Sequence, residues 1–263
     1  MLTYTILGLC GILTGISASL FGFGGGFIIV PLLYHLLRTE NPSSMYIAVS
    51  TSACIMIINS LNTTYKQYHN KNIMWQMVLP LMLYIAIGSA LGVFLTKFMN
   101  NEIIRWFFIL YISYTIGDCL IRKDFINNSS EEVKYLPQYL NVILGLLIGA
   151  VSTILGVGGS VMTVPMMSKL GIKIKDAVAM ANPLSLPVAL VGSIGYLILA
   201  YSQNVNLGDE YIGFIYLPAL IFLVIGGFIG VPIGAKLTNK IPDAIHARVY
   251  ILLLFIVLFV MII

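Results

Sequence analysis

Two short runs carry most of the chemistry this chain could perform. Residues 21–27 read Phe-Gly-Phe-Gly-Gly-Gly-Phe and residues 156–160 read Gly-Val-Gly-Gly-Ser. Neither is a nucleotide loop: the first does not fit G-x-G-x-x-G, and no Gly-Lys-Ser/Thr follows either run. Four glycines among residues 22–26 cannot hold a helix, since each costs about 1 kcal/mol relative to alanine. A broken helix frees backbone N–H and C=O groups. At membrane depth these must face protein, a ligand or a water-filled cavity. Pro31 and Pro165 suit a second helical piece that restarts after each break. The N-terminus of such a piece carries about half a positive charge. Two of them together would make an anion site of the broken-helix transporter kind. The backbone around Gly24, Gly25 and Gly26, and around Gly158, Gly159 and Ser160, is therefore a candidate substrate site. The competing reading is close helix packing, which Gly11-x-x-x-Gly15, Gly88-x-x-x-Gly92 and Gly226-x-x-x-Gly230 are expected to serve.

A second cluster is polar and uncharged. Ser50, Thr51 and Ser52 stand together, with Asn59 and Thr63 on the face of Ser52. Later in the chain Asn182, Ser185, Ser193 and Tyr196 can share a helix face, interrupted by Pro183 and Pro187. Two prolines in one span predict a kink or break that frees carbonyls. Hydroxyls and amides beside a break suit ligand contacts, and Ser50, Thr51, Ser52, Asn182 and Ser185 join the candidate substrate-binding set. Ordinary interhelical hydrogen bonding, at about 0.6 kcal/mol each, is the alternative.

No Asp, Glu, Lys or Arg falls in the middle of an apolar segment. Such groups are costly in a bilayer and mark proton relays and ion paths. Their absence argues against a carboxylate-relay pump and against acid–base catalysis, so no catalytic residue is assigned. Asp118 is expected in a boundary ion pair with Arg122 at i,i+4. His35, His69 and His246 read as boundary residues, and Trp75 and Trp106 as interfacial anchors. Cys10, Cys54 and Cys119 are odd in number and lack metal spacing. No metal or cofactor is expected.

The elements that hold these residues follow from composition. The chain has 263 residues, 59% hydrophobic and 9% charged, against about 25% charged in a soluble domain. This excludes a soluble enzyme, a disordered chain and a disulfide scaffold. It leaves an all-α polytopic membrane protein, in which a crossing helix takes about 20 residues. The net charge of +4 sits in loops, where it sets orientation and does not imply nucleic acid. The first residues lack a basic n-region and an A-x-A site, and read as a retained span.

Apolar segments run over 1–37, 45–65, 75–96 and 103–121, then over 139–167, 177–201, 211–237 and 244–263. Between them lies the polar stretch 122–138. Gly11, Gly15, Gly22, Gly24, Gly25 and Pro31 recur 134 residues later as Gly145, Gly149, Gly156, Gly158, Gly159 and Pro165. Pro80, Gly88 and Gly92 match Pro218, Gly226 and Gly230 more weakly. The expected organisation is a first transmembrane repeat over 1–121, a linker over 122–138 and a second repeat over 139–263, each of about four segments. Asn182-Pro183 is taken to stand where the first repeat has Thr51-Ser52.

Topology turns on the long first segment of each repeat. A single crossing makes the repeats parallel and divides Lys and Arg 9 to 5. Folding back at the glycines inverts them. One side then holds Lys66, Lys71, Arg122, Lys123, Lys134, Lys169, Lys173, Lys175, Lys236, Lys240 and Arg248, against Arg38, Lys97 and Arg105 on the other. The positive-inside rule favours the inverted form. Either form puts both termini outside the cytoplasm.

GFGGGFIIVP after a GxxxG helix, AVSTS in the second segment, and GVGGSVMTVP followed by AVAMANPLSLPVALVGSIGY resemble the TauE/SafE (TSUP) family of sulfite and organosulfonate exporters. The resemblance covers nearly the whole chain. It implies a secondary transporter with about eight transmembrane segments, moving a small sulfur-containing anion across the plasma membrane. Ser160 replaces Gly26 of the first repeat, so the halves are not equivalent. The expected partners are the small anion and the lipid bilayer, with no nucleic acid. The alternatives are an integral membrane enzyme and a non-transporting assembly or sensor component. The first would need reactive loop groups and the second an interaction domain, and the loops offer neither.

Overall fold

The computed structural model describes residues 2–39, 41–69, 73–121, 137–238 and 240–263. The helices are α1 (Leu2–Phe21), α2 (Gly26–Leu37), α3 (Ser44–His69), α4 (Trp75–Thr96) and α5 (Asn101–Ile121). They continue as α6 (Gln138–Leu155), α7 (Ser160–Lys169), α8 (Ile174–Ser202), α9 (Leu217–Thr238) and α10 (Asp243–Ile262). Most of the expected 122–138 linker, residues 122–136, lies outside the described residues. Seven of the described helices, α3, α4, α5, α6, α8, α9 and α10, are long and apolar enough to cross a bilayer. The protein is thus all-α and polytopic. Both long glycine-containing segments are split, into α1 with α2 and α6 with α7.

Small residues set the tightest contacts. A Cβ on Gly11 would stand 2.7 Å from the Leu223 carbonyl oxygen, and one on Gly15 2.8 Å from that of Gly227. Further along, a Cβ on Gly234 would stand 2.6 Å from the Ile16 carbonyl oxygen, and Thr238 reaches the Ser19 carbonyl. Helices α1 and α9 therefore run side by side in the same direction, backbone against backbone. Helices α4 and α6 do the same: a Cβ on Gly88 would be 2.2 Å from the Leu146 carbonyl oxygen and one on Gly92 2.5 Å from that of Ala150. The GxxxG pairs are packing residues, as their spacing suggested. With no hydrophobic drive between helices in lipid, such close approach is what holds them together.

Hydrogen bonds to α10 bear on whether the first segment crosses once. Leu20, near the end of α1, accepts a hydrogen bond through its carbonyl from His246, near the start of α10. At the end of α2, His35 and Arg38 donate to the carbonyls of Val260 and Ile263, at the other end of α10. The chain therefore reverses at residues 22–25, and α2 returns to the side on which α1 began. Following the helices onward, Arg38, Lys97 and Arg105 lie on that side. The described cations Lys66, Lys169, Lys173, Lys175, Lys236, Lys240 and Arg248 lie on the opposite one. Lys71, Arg122, Lys123 and Lys134 fall outside the described residues.

Helices α3 and α8 form the centre, with 72% and 56% of their apolar stretches buried against 33–44% for the other long spans. Two expectations change here. Pro183 and Pro187 do not break α8, which runs unbroken from Ile174 to Ser202. Within it the Asn182 amide donates to the Val178 carbonyl at 3.2 Å and the Ser185 hydroxyl to that of Ala181 at 3.0 Å. The apolar stretch at 211–216 is not helix but a hairpin, pairing Tyr211 with Tyr216 and Ile212 with Ile215. Gly213 at φ +58° supplies the turn, and α9 starts just before Pro218, which suits a first helical turn.

Candidate functional site

Each break is built by glycines in left-handed backbone, which other residues adopt only at a cost. At the first, φ is +75° at Gly22, +61° at Gly24 and +91° at Gly25. At the second, it is +66° at Gly156 and +64° at Gly158. The breaks are similar but not identical, because Gly159 has φ −67° where Gly25 is left-handed. After each, a helix restarts on a glycine carbonyl: Gly25 accepts from Ile28 and Ile29, and Gly159 from Met162 and Thr163. The N–H groups of Phe23 through Phe27, and of Gly158 through Val161, donate to no acceptor among the described residues. These are the orphan donors of two helix N-termini.

The two breaks are neighbours. A Cβ on Gly26 would be 2.5 Å from the Gly156 carbonyl oxygen, and one on Gly158 3.3 Å from that of Phe23. The Ser52 hydroxyl bridges them by donating to the Gly156 carbonyl at 2.7 Å. Around them stand buried polar atoms with no partner among the described residues: Asn59 Nδ2, Ser60 Oγ, Ser152 Oγ, Ser160 Oγ, Thr163 Oγ1 and Asn182 Oδ1. Gly25 leaves room for the Asn59 amide, since a Cβ there would lie 2.7 Å from Nδ2. Gly24 does the same for Ser60, and Gly158 for Ser185, at 2.8 and 3.1 Å. Buried polar groups are normally hydrogen-bonded, so a cluster of orphans at one place calls for an explanation. No Asp, Glu, Lys or Arg is among the buried described residues. Uncharged donors therefore dominate the site.

The residues read from sequence divide into two groups. Gly24, Gly25, Gly26, Gly158, Gly159, Ser160, Ser52, Asn182 and Ser185 belong to the two breaks and the helices against them. Ser50 and Thr51 face the hairpin. The Ser50 hydroxyl donates to the Phe214 carbonyl at 2.7 Å, and Thr51 Oγ1 accepts from the Tyr216 N–H at 2.9 Å. Tyr46 stacks on the Phe214 ring at 5.1 Å between centroids. Asn59, Ser60 and Thr163 join the site from outside the sequence-based set. Asn59 was legible as a polar residue on the Ser52 face. Ser60, one residue on, gave no separate signal.

The alignment of Asn182-Pro183 with Thr51-Ser52 is also corrected. The matched glycines Gly22 and Gly156 pack against the carbonyls of Val178 and Val49 respectively. That correspondence places Ala181 with Ser52 and Asn182 with Ala53. Matching polar with polar slipped the register by two, because α3 and α8 carry no shared glycines to pin it.

Asp118 forms an ion pair with Lys169 at 3.7 Å, and the pair expected with Arg122 is not among the described contacts. Arg122 lies outside the described residues.

Residues 7–261 match the model of the family described as sulfite exporter TauE/SafE. A probable membrane transporter protein of Haemophilus influenzae is 30% identical over 98% of this chain and 97% of its own length. One from Methanocaldococcus jannaschii is 27% identical over 95% and 91%. One from Bacillus subtilis is 29% identical over 89% of both. With the split glycine segments and the paired GxxxG contacts in place along the same span, the chain belongs to the sulfite exporter TauE/SafE family.

Proposed function

We propose that this protein is a secondary transporter that carries a small, sulfur-containing anion such as sulfite or an organosulfonate across the plasma membrane. The observation that carries the reading is the meeting of two helix N-termini with free N–H groups among buried, unpartnered polar atoms, all but Asn182 Oδ1 able to donate. An anion is the ligand whose chemistry matches. Helix N-termini favour negative charge, and the hydroxyls and the Asn59 amide can donate to oxygen. The names of the relatives support transport as the activity. The family description supports the sulfur anion.

The arrangement of the halves supports alternating access. Matching elements make matching contacts: α1 packs on α9 and α6 on α4, while α3 meets α8 and α5 meets α10. In an inverted duplication of this kind, one half rocks against the other around a fixed site. The side rich in Lys and Arg is cytoplasmic in this reading, and both termini are outside. Flux into proteoliposomes over a panel of anions tests it. Sulfite or an organosulfonate should enter well above empty-vesicle rates, and excess unlabelled anion should compete. A panel in which no anion moves faster than through protein-free vesicles would refute transport of this class.

A further inference from the structure

We propose that Met56 is the size filter of this site, a thioether partition between two anion subsites. The inference rests on the transport reading above. Met56 lies on α3 and is completely buried. A Cβ on Gly24 would be 2.4 Å from its Cγ and 3.1 Å from its Sδ. A Cβ on Gly26 would be 3.2 Å from the same sulfur, and one on Gly158 2.8 Å. One side chain thus fills space left open by three glycines, two from the first break and one from the second.

The partition stands between two unlike sets of polar groups. On one side, Asn59 Nδ2 and Ser60 Oγ stand against Gly25 and Gly24. On the other, the Ser160 hydroxyl stands unpartnered at the start of α7, and Ser185 Oγ, whose proton goes to the Ala181 carbonyl, stands against Gly158. Counting from the Val49–Val178 correspondence, Ser185 occupies in α8 the position that Met56 occupies in α3. One repeat thus supplies a hydroxyl where the other supplies bulk. An anion moving from one set to the other must displace the methionine. Methionine is unbranched with three rotatable bonds and can swing aside where a branched residue would not. The space left when it swings sets the size of anion that passes.

Three anions of increasing bulk give the test: sulfite, methanesulfonate and benzenesulfonate. The last two share a sulfonate head and a single charge, and differ in what it carries. Rates are measured in proteoliposomes with wild type, Met56→Ala and Met56→Leu, each eluting from size exclusion as the wild type does. Should the alanine variant fail that criterion, Met56→Val takes its place. One methylene of space in a pocket changes discrimination by about 10- to 200-fold. The benzenesulfonate-to-methanesulfonate rate ratio should therefore rise at least about tenfold in Met56→Ala. Met56→Leu keeps the bulk, so its ratio should stay within about twofold of wild type while its rates fall. A wild type that transports, with a ratio unchanged by truncation, overturns the filter and leaves the transport reading standing. A wild type that moves none of the three overturns both.

Discussion

Replacing Asn59 by leucine should separate binding from stability. Asn59 is 1% exposed, and its Nδ2 has no partner among the described residues. Its backbone carbonyl still accepts from Thr63 at 2.8 Å, a contact the substitution leaves alone. In the protein without anion, the amide pays for burial and gains nothing from its donor. Leaving a buried donor unmet costs about 1–3 kcal/mol. Asn59→Leu removes that donor at similar bulk, so the anion-free protein should melt no lower than wild type. With anion present, the same amide supplies a hydrogen bond to a charged group, which contributes about 1.5–3 kcal/mol. At about 1.4 kcal/mol per tenfold, the affinity should drop roughly ten- to hundredfold. Concentration-dependent flux gives the half-saturating anion, and a thermal-shift series in detergent gives the melting point with and without it. The expected signature is unchanged or raised melting without anion, and loss of the anion-induced rise. A variant that melts several degrees lower and transports with wild-type affinity would show that the amide serves the fold.

The glycines at the breaks should be intolerant for a reason the packing glycines do not share. Gly158→Ala adds a Cβ 2.8 Å from the Met56 sulfur at φ +64°, so about 1–2 kcal/mol of backbone strain should accompany a collapse of flux; normal transport would return this glycine to a packing role. Thr51→Val removes the acceptor for the Tyr216 N–H, and hydrogen–deuterium exchange at the hairpin amides should speed up; unchanged exchange would show that the contact does not hold the hairpin. A cysteine at Arg38 should react with an impermeant thiol reagent added outside intact cells, and one at Lys240 should not. The reverse pattern would invert the proposed orientation.

The sequence made the breaks legible because glycine is conspicuous where helix is otherwise continuous. The 134-residue offset located both members of the pair. The charge count favoured the fold-back, and the His246–Leu20 and Arg38–Ile263 contacts agree with it. What stayed hidden was hidden for physical reasons. Ser50, Thr51 and Ser52 follow one another on a helix, so they point about 100° apart in turn. Two reach the hairpin and one reaches Gly156, and nothing in the types of three small hydroxyl residues says which. The hairpin itself was masked by its apolar composition. Met56 was invisible, because methionine is commonplace in a chain this hydrophobic and its role comes from the glycines it touches.

The two returning helices are fastened at their far ends and open at their near ones. Helix α2 ends against α10: His35 donates to the Val260 carbonyl and Arg38 to that of Ile263. Arg105 adds bonds from α5 to the carbonyls of Met261 and Ile262 at 3.1 and 2.9 Å. These donors satisfy the last carbonyls of α10 and meet the negative end of its dipole. In the second half, Lys169 stands 134 residues after His35 and meets the Asp118 carboxylate on α5. Helix α7 is thus tied to α5 as α2 is tied to α10, through a carboxylate in one case and backbone carbonyls in the other. With both helices anchored at the membrane surfaces, a rocking of α5 and α10 against the central pair α3 and α8 would move the N-termini of α2 and α7. Those termini are the ends that carry the free N–H groups, so the proposed motion and the proposed site share the same two helices.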